Sequence, residues 1–413
     1  MAFAPGAVRS RAARRKRVRF PRLRAILRRM RHRLSGAAFG LLGVLVLAAC
    51  GGSAAQPPTR AKNVILFLAD AGGLSTIHAA SLHAHGEPNR LFLQQMPYIA
   101  LSDTTTVRDL VTDSAAGMTA IVTGRRTVNG AVSIPGERDG EPLKTILEYA
   151  EERGLATGVI SNDSLTGATP AATYAHVNDR NMTAAIFRQA FAPRFGDGVD
   201  VMFGSGRGTI VRRLEADGTS LEALARESGR PILASLDEVP ADAGRAIVLF
   251  ESSDFDVEAA FVEAHRILSQ DPDGYFLMVE VDTHTNNIRR GLDRMAMMDR
   301  VIRRAAELAG PDTLLIFPAD HSFDLQLRGG RPGTPLLEGL EEAEARAREE
   351  KSRTIRAPAL HVENSHTGEP VIVAAQGPGA ERVRGFMANT DLFDIMMEAL
   401  GWAAEVEPAT AAR

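Results

Sequence analysis

NVILFLAD, residues 63–70, is a nearly continuous apolar run that ends in an acid. Buried strands of mostly parallel sheets read this way, because helices cover both faces of such a sheet. The same pattern returns in ATGVISND (156–163), YFLMVEVD (275–282), TLLIFPADH (313–321) and PVIVAAQG (370–377). Helical patterns lie between them, including PLKTILEYAEERG (142–154) and RRGLDRMAMMDRVIRRAAELAG (289–310), with Gly154 and Gly310 expected as C-terminal caps. The alternation predicts an α/β protein with a buried sheet.

Three of these runs end in a carboxylate: Asp70, Glu280 and Asp320. Open α/β sheets gather their ligands at the carboxyl ends of strands. Three acids there, with His321 adjoining one, point to a hard-cation or mixed zinc site.

The composition is that of a globular protein, 45% hydrophobic and 24% charged over 413 residues. Of the 48 Lys and Arg residues, 13 fall in residues 1–49, which hold no acid. The rest carries 35 basic and 51 acidic residues, a net of −16. That acidic body argues against a nucleic-acid surface. The leader places a basic stretch before an apolar run, Ala37–Leu47, too short to span a membrane, and closes on LAAC (47–50). Residues 1–49 are expected to be a lipoprotein signal peptide, with 1–29 a surplus extension and Met30 the start. Cys50, the only cysteine, would be lipidated, so the chain is expected to be exported and lipid-anchored, periplasmic or cell-surface. Residues 50–61 read as a flexible linker and 62–413 as a single catalytic domain. Within that domain, 322–360 reads as a charged, solvated insertion.

TDSAAGMTAIVTGRRTVNGAVS (112–133) sets Asp113 and Ser114 before a helical run. On its own Asp-Ser is a common helix cap. A serine at a helix N-terminus also meets oriented N–H groups that favour an anion, and a bound zinc can activate it. Together with LADAGG (68–73), TGATPAATYAHVNDR (166–180), FLMVEVDTHTNN (276–287), PADHS (318–322) and SHTGEPV (365–371), this stretch resembles the alkaline phosphatases, in the family's order and over nearly the whole mature chain.

The resemblance implies a three-layer α/β/α sandwich with a mostly parallel central sheet. It implies hydrolysis of small-molecule phosphate monoesters through a phosphoserine at Ser114, with Arg180 clamping the phosphoryl group and Asp113 orienting Arg180. Two Zn2+ are implied, one on Asp70, Asp320 and His321, the other on His284, His366 and Asp282. One Mg2+ is implied on Asp70, Thr169 and Glu280, and a homodimer is common in the family. Two features depart from the pattern. Gly167 stands where relatives have Asp or His, and Asp282 and His284 are separated by one residue rather than three. A phosphodiesterase or sulfatase of the same superfamily, and a lipoprotein that binds metal or phosphate without turnover, are the competing readings. His78, His83 and His85 read as surface, and FGSGRG (203–208) as a turn.

Overall fold

The structure, a computed structural model, describes residues 59–136 and 140–403. The leader, Met30, Cys50 and most of the 50–61 segment lie outside the described residues, and so do the expectations drawn from them.

Among the described residues the strands are β1 (Asn63–Asp70), β2 (Tyr98–Asp103), β3 (Ala156–Ser164), β4 (Val201–Ser205), β5 (Ile232–Leu233), β6 (Ala246–Leu249), β7 (Tyr275–Asp282), β8 (Thr313–Phe317), β9 (Ser322–Leu327), β10 (Thr354–Arg356), β11 (Leu360–Thr367), β12 (Val371–Gln376) and β13 (Gly385–Ala388). Ten of them form one sheet in the order β13-β2-β12-β8-β1-β7-β3-β4-β6-β5. From β8 to β5 every pairing is parallel. Only β12 runs the other way, against β8 and β2.

β1 shows how the sheet is covered. Side chains alternate across a strand, and Val64, Leu66 and Leu68 enter one core with Met118 and Ile121 while Ile65, Phe67 and Ala69 enter another with Phe261 and Met298. Helices Ser114–Thr123, Ile146–Glu152, Ala168–Tyr174 and Asp391–Ala399 supply the first face; Leu74–His85, Val257–Leu268 and Ile288–Leu308 supply the second. The result is the three-layer α/β/α sandwich with a mostly parallel sheet.

The helix expected over 142–154 starts only at Ile146, because Thr145 caps it. The Thr145 hydroxyl accepts from the Glu148 N–H at 3.1 Å, and the Glu148 carboxylate accepts from the Thr145 N–H at 3.0 Å, a reciprocal capping box. Gly154 follows in the left-handed region, φ 73°. Gly310 does not cap its helix: Ile288–Leu308 ends in an extended Ala309, and Gly310 opens a turn whose carbonyl accepts from the Thr313 N–H at 3.1 Å.

The 322–360 segment differs from the solvated insertion expected of it. Its first six residues are β9, whose Ser322, Phe323 and Leu325 are buried. Its charged helix, Leu340–Glu349, still buries Leu340, Ala343 and Ala347. β9, β10 and β11 form a second, antiparallel sheet in the order β10-β11-β9. His366 therefore sits on a strand paired opposite Phe323.

The register of the central strands is tied at their amino ends by Asn63. Its side-chain amide donates to Thr313 Oγ1 at 3.1 Å on β8, and its oxygen accepts from the buried Tyr275 N–H at 3.2 Å on β7. Asn63→Ala leaves that N–H unpaired. It is expected to cost about 1–3 kcal/mol, read as a lower urea midpoint with an unchanged m-value.

Candidate metal centre and nucleophile

The carboxyl ends of β8, β1, β7 and β3 lie side by side. In register, Asp70 is opposite Asp282, and Ser161 is opposite Glu280; Asp320 follows just past β8. The helix Ser114–Thr123 is brought to this edge by Gly117: a Cβ there would lie 2.9 Å from the Asp320 carbonyl oxygen and 3.0 Å from its Cβ. Gly117 was not singled out from sequence; the small-residue run after Ser114 was the available signal.

Asp113, not Ser114, caps the helix. One oxygen of Asp113 accepts from the Ala116 N–H at 3.0 Å, and the other accepts from the Gly130 N–H at 2.9 Å and from Arg180 Nη1 at 3.0 Å. Ser114 is the first helical residue, and its hydroxyl is left facing the cluster. It lies 3.4 Å from both Asp70 carboxylate oxygens and 3.3 Å from His321 Nε2. Ser114 is buried, while Arg180 is about a third exposed, with its guanidinium at the rim.

Two ion-sized groups of donor atoms are found among the described residues. Asp70, Asp320 and His321 form one; His284, His321 and His366 form the other. All three imidazoles are held through Nδ1. His321 donates to the Ser322 carbonyl at 3.1 Å, His366 to the Thr112 carbonyl at 3.1 Å and His284 to Asp282 Oδ1 at 2.8 Å. Each hydrogen bond turns Nε2 toward the centre, the arrangement that orients a metal-binding histidine.

His284 Nε2 and His366 Nε2 face each other at 3.3 Å. Two such nitrogens need a proton or a cation between them. Two imidazoles on one tetrahedral zinc, with bonds of about 2.05 Å, sit roughly 3.3 Å apart, so the pair fits that ion. Asp320 Oδ2 and Thr169 Oγ1 are buried without a hydrogen-bond partner, which a coordinated cation would also relieve.

The electrostatics follow from crowding these groups. Burial pushes Asp320 up to about 7, with Asp70 adding to it. Burial acts against a charged His321, but Asp320 and Asp70 overcome it and raise the imidazole to about 9. Burial, then His321 and His284, lower His366 to about 4. Burial opposes ionisation of Asp70, yet His284, His321 and Arg180 hold it below the usual carboxylate range. Glu280 is pushed well up by burial and by Asp70.

Asp282, expected as a zinc ligand, stands outside both groups. Its Oδ1 is taken by His284, through Nδ1 at 2.8 Å and the backbone N–H at 3.1 Å, and its Oδ2 by Arg294 Nη1 at 2.6 Å. Arg294 is buried and is held in turn by Ser253 Oγ at 3.0 Å. The one-residue spacing explains this: Asp282 ends β7 and His284 turns back onto it. No local pattern announces Arg294, twelve residues downstream. Glu280 joins neither group and accepts from the Ser161 hydroxyl. His78, His83 and His85 join neither group; His83 pairs with Asp293 at 2.8 Å. FGSGRG runs from β4 through Gly206, φ 96°, into the helix Arg207–Ala216.

Residues 61–242 and 256–354 match the profile of the alkaline phosphatase family. The chain belongs to the alkaline phosphatase family. It is 33% identical to the streptomycin-6-phosphate phosphatase of Streptomyces griseus, over 89% of this chain and 97% of that one. It is 27% identical to the human tissue-nonspecific alkaline phosphatase isozyme, over 81% of this chain and 74% of the relative. In structure it is similar to a mutant TAB5 alkaline phosphatase with Mg bound in the M3 site, with a TM-score of 0.68 and 25% identity over 83% of this chain and 99% of that one. The fold is likewise that of Thermus thermophilus alkaline phosphatase, with a TM-score of 0.68 at 24% identity over 84% of this chain and 92% of that one. These relatives are phosphatases, and the chain is a hydrolase of that alkaline phosphatase family.

Gly117 allows the Ser114–Thr123 helix of this family member to touch the Asp320 loop. Gly117→Ala is expected to cost about 1–3 kcal/mol by overpacking and to separate Ser114 from His321, read by urea denaturation alongside bound zinc per chain.

Proposed function

We propose that the chain hydrolyses phosphate monoesters through a phosphoserine on Ser114, at a two-zinc, one-magnesium site. The observation that carries this is the division of labour at residues 113 and 114. Asp113 takes over the helix cap and the arginine, so Ser114 Oγ faces Asp70 and His321 at 3.3–3.4 Å.

In this reading Asp70, Asp320 and His321 hold one zinc, and His284 and His366 hold the other, with Asp282 fixing His284 from behind. Magnesium falls to Asp70, Thr169 and Glu280. Bound there, the cations act as Lewis acids that stabilise phosphoryl charge and lower the pKa of a hydroxyl or water. The Arg180 fork binds two phosphoryl oxygens, and the helix N-terminus favours the same anion. Ser114 Oγ attacks phosphorus, the phosphorus–ester bond breaks, and the alcohol oxygen takes up a proton as it leaves. Water then cleaves the phosphoserine, giving inorganic phosphate and restoring the hydroxyl.

Two displacements give net retention at phosphorus. Ser114→Ala is expected to lower monoesterase kcat by at least about 10³-fold while keeping its zinc. Inversion with a chiral phosphate ester, or full turnover by the variant, sinks the covalent serine. Diester or sulfate ester turnover exceeding that of monoesters favours the superfamily alternatives, and bound zinc without any turnover favours a binding protein.

We also propose export and lipid anchoring at Cys50, supported by the order of basic stretch, apolar run and LAAC. Cys50→Ser is expected to move the protein from the membrane pellet to the soluble fraction; equal membrane retention overturns the anchor.

A further inference from the structure

One carboxylate at this edge of the sheet has no part in the reading above. Asp163 lies near the carboxyl end of β3, and its N–H donates to the hydroxyl of Ser161 at 3.0 Å. That hydroxyl in turn donates to Glu280. Four residues on, Gly167 precedes the helix Ala168–Tyr174. A Cβ built on Gly167 would lie 2.9 Å from Asp163 Oδ2 and 2.9 Å from the Ser164 carbonyl oxygen. The carboxylate of Asp163 therefore fills the space into which a side chain at position 167 would grow.

What surrounds that space calls for a cation. Asp163 stands near the negative charges of Asp70 and Asp282 and the positive charge of Arg180. Glu280 feels the negative charges of Asp70 and Asp163. Asp163 is exposed, so water reaches it. Two residues past Gly167, Thr169 is 1% exposed, and its Oγ1 has no hydrogen-bond partner among the described residues while lying near Glu280. A buried hydroxyl without a partner costs free energy. Carboxylates, a hydroxyl and accessible water are the donors that magnesium takes, and magnesium keeps several of its waters.

We propose that Asp163 is the missing carboxylate of the third metal site, holding a magnesium-type ion through its water shell together with Asp70, Thr169 and Glu280, in the place Gly167 leaves open. Binding through water agrees with the donor atoms: Asp163 is not in either group of closely converging ligands among the described residues. The inference rests on the metal-dependent phosphatase reading.

The test uses the full chain loaded with zinc, with Mn2+ as the probe. Electron paramagnetic resonance reads its affinity, and elemental analysis reads zinc. Asp163→Asn keeps the shape of the side chain. It is expected to keep two zincs per chain and to weaken Mn2+ by about 10–100-fold. The loss persists in 0.5 M NaCl, where a long-range charge effect is screened. Unchanged Mn2+ affinity, or a loss that vanishes in salt, overturns the role of Asp163 alone. A wild-type chain that takes up no zinc overturns the phosphatase reading and this inference with it.

Discussion

Asp70 is the residue on which the rest of the site depends. It closes the central strand, and its position is fixed from both sides by parallel register, with β7 beside it through Asp282 and β8 beside it through the bridge from Ala69 to Ala319. Its backbone carbonyl accepts from both the N–H and the hydroxyl of Thr283, at 2.9 and 2.7 Å, which turns the chain toward His284. Its carboxylate meets Ser114, His321 and His284. Strand order thus becomes chemistry without a dedicated loop: neighbouring strands that end at one level deliver their last side chains to one place.

That convergence has an electrostatic cost. Asp70, Asp320 and Glu280 are all buried, and burial alone would neutralise them. The two that yield, Asp320 and Glu280, have raised pKa values. Asp70 stays charged because His284 and His321 stand against it. Protons are therefore shared out among carboxylates and imidazoles that a divalent cation would satisfy together. The Nδ1 hydrogen bonds to Ser322, Thr112 and Asp282 settle which nitrogen each ring presents, so the donor geometry is set by the fold before any ligand binds. This is why a glycine at 117 matters: the hydroxyl of Ser114 reaches that preset geometry only if its helix can lie against the Asp320 backbone.

Much of the architecture was legible in the sequence because periodicity and burial act locally. NVILFLAD and YFLMVEVD coincide with β1 and β7 residue for residue, since a strand covered on both faces needs an unbroken apolar run. The helix end at Gly310 and the character of β9 were not legible. Gly310 serves a turn set by β8, and Ser322–Leu327 is a strand because it pairs with β11, more than thirty residues away. The residues that meet at the site were legible as motifs, but their hydrogen bonds were not. Asp282 looked like a ligand because Asp-x-His can converge on a metal; Arg294, which takes its second oxygen, lies on a helix that sequence spacing does not aim at it.

Gly167 and Asp163 carry the same point one step further. Read along the chain, Gly167 is a lost functional group. Read in space, it is a vacancy shaped by a neighbour, for the φ of −58° at Gly167 suits any residue and does not require glycine. What excludes a side chain there is the Asp163 carboxylate together with the Ser164 carbonyl. A glycine kept for room rather than for backbone freedom implies that whatever occupies the room is the group to examine. Here the occupant carries the chemistry that the glycine lacks, and it arrives from the end of β3, the strand already joined to Glu280 through Ser161. A site organised by strand ends can recruit its carboxylates from any strand that ends at the same level, so one altered motif position does not by itself remove an ion.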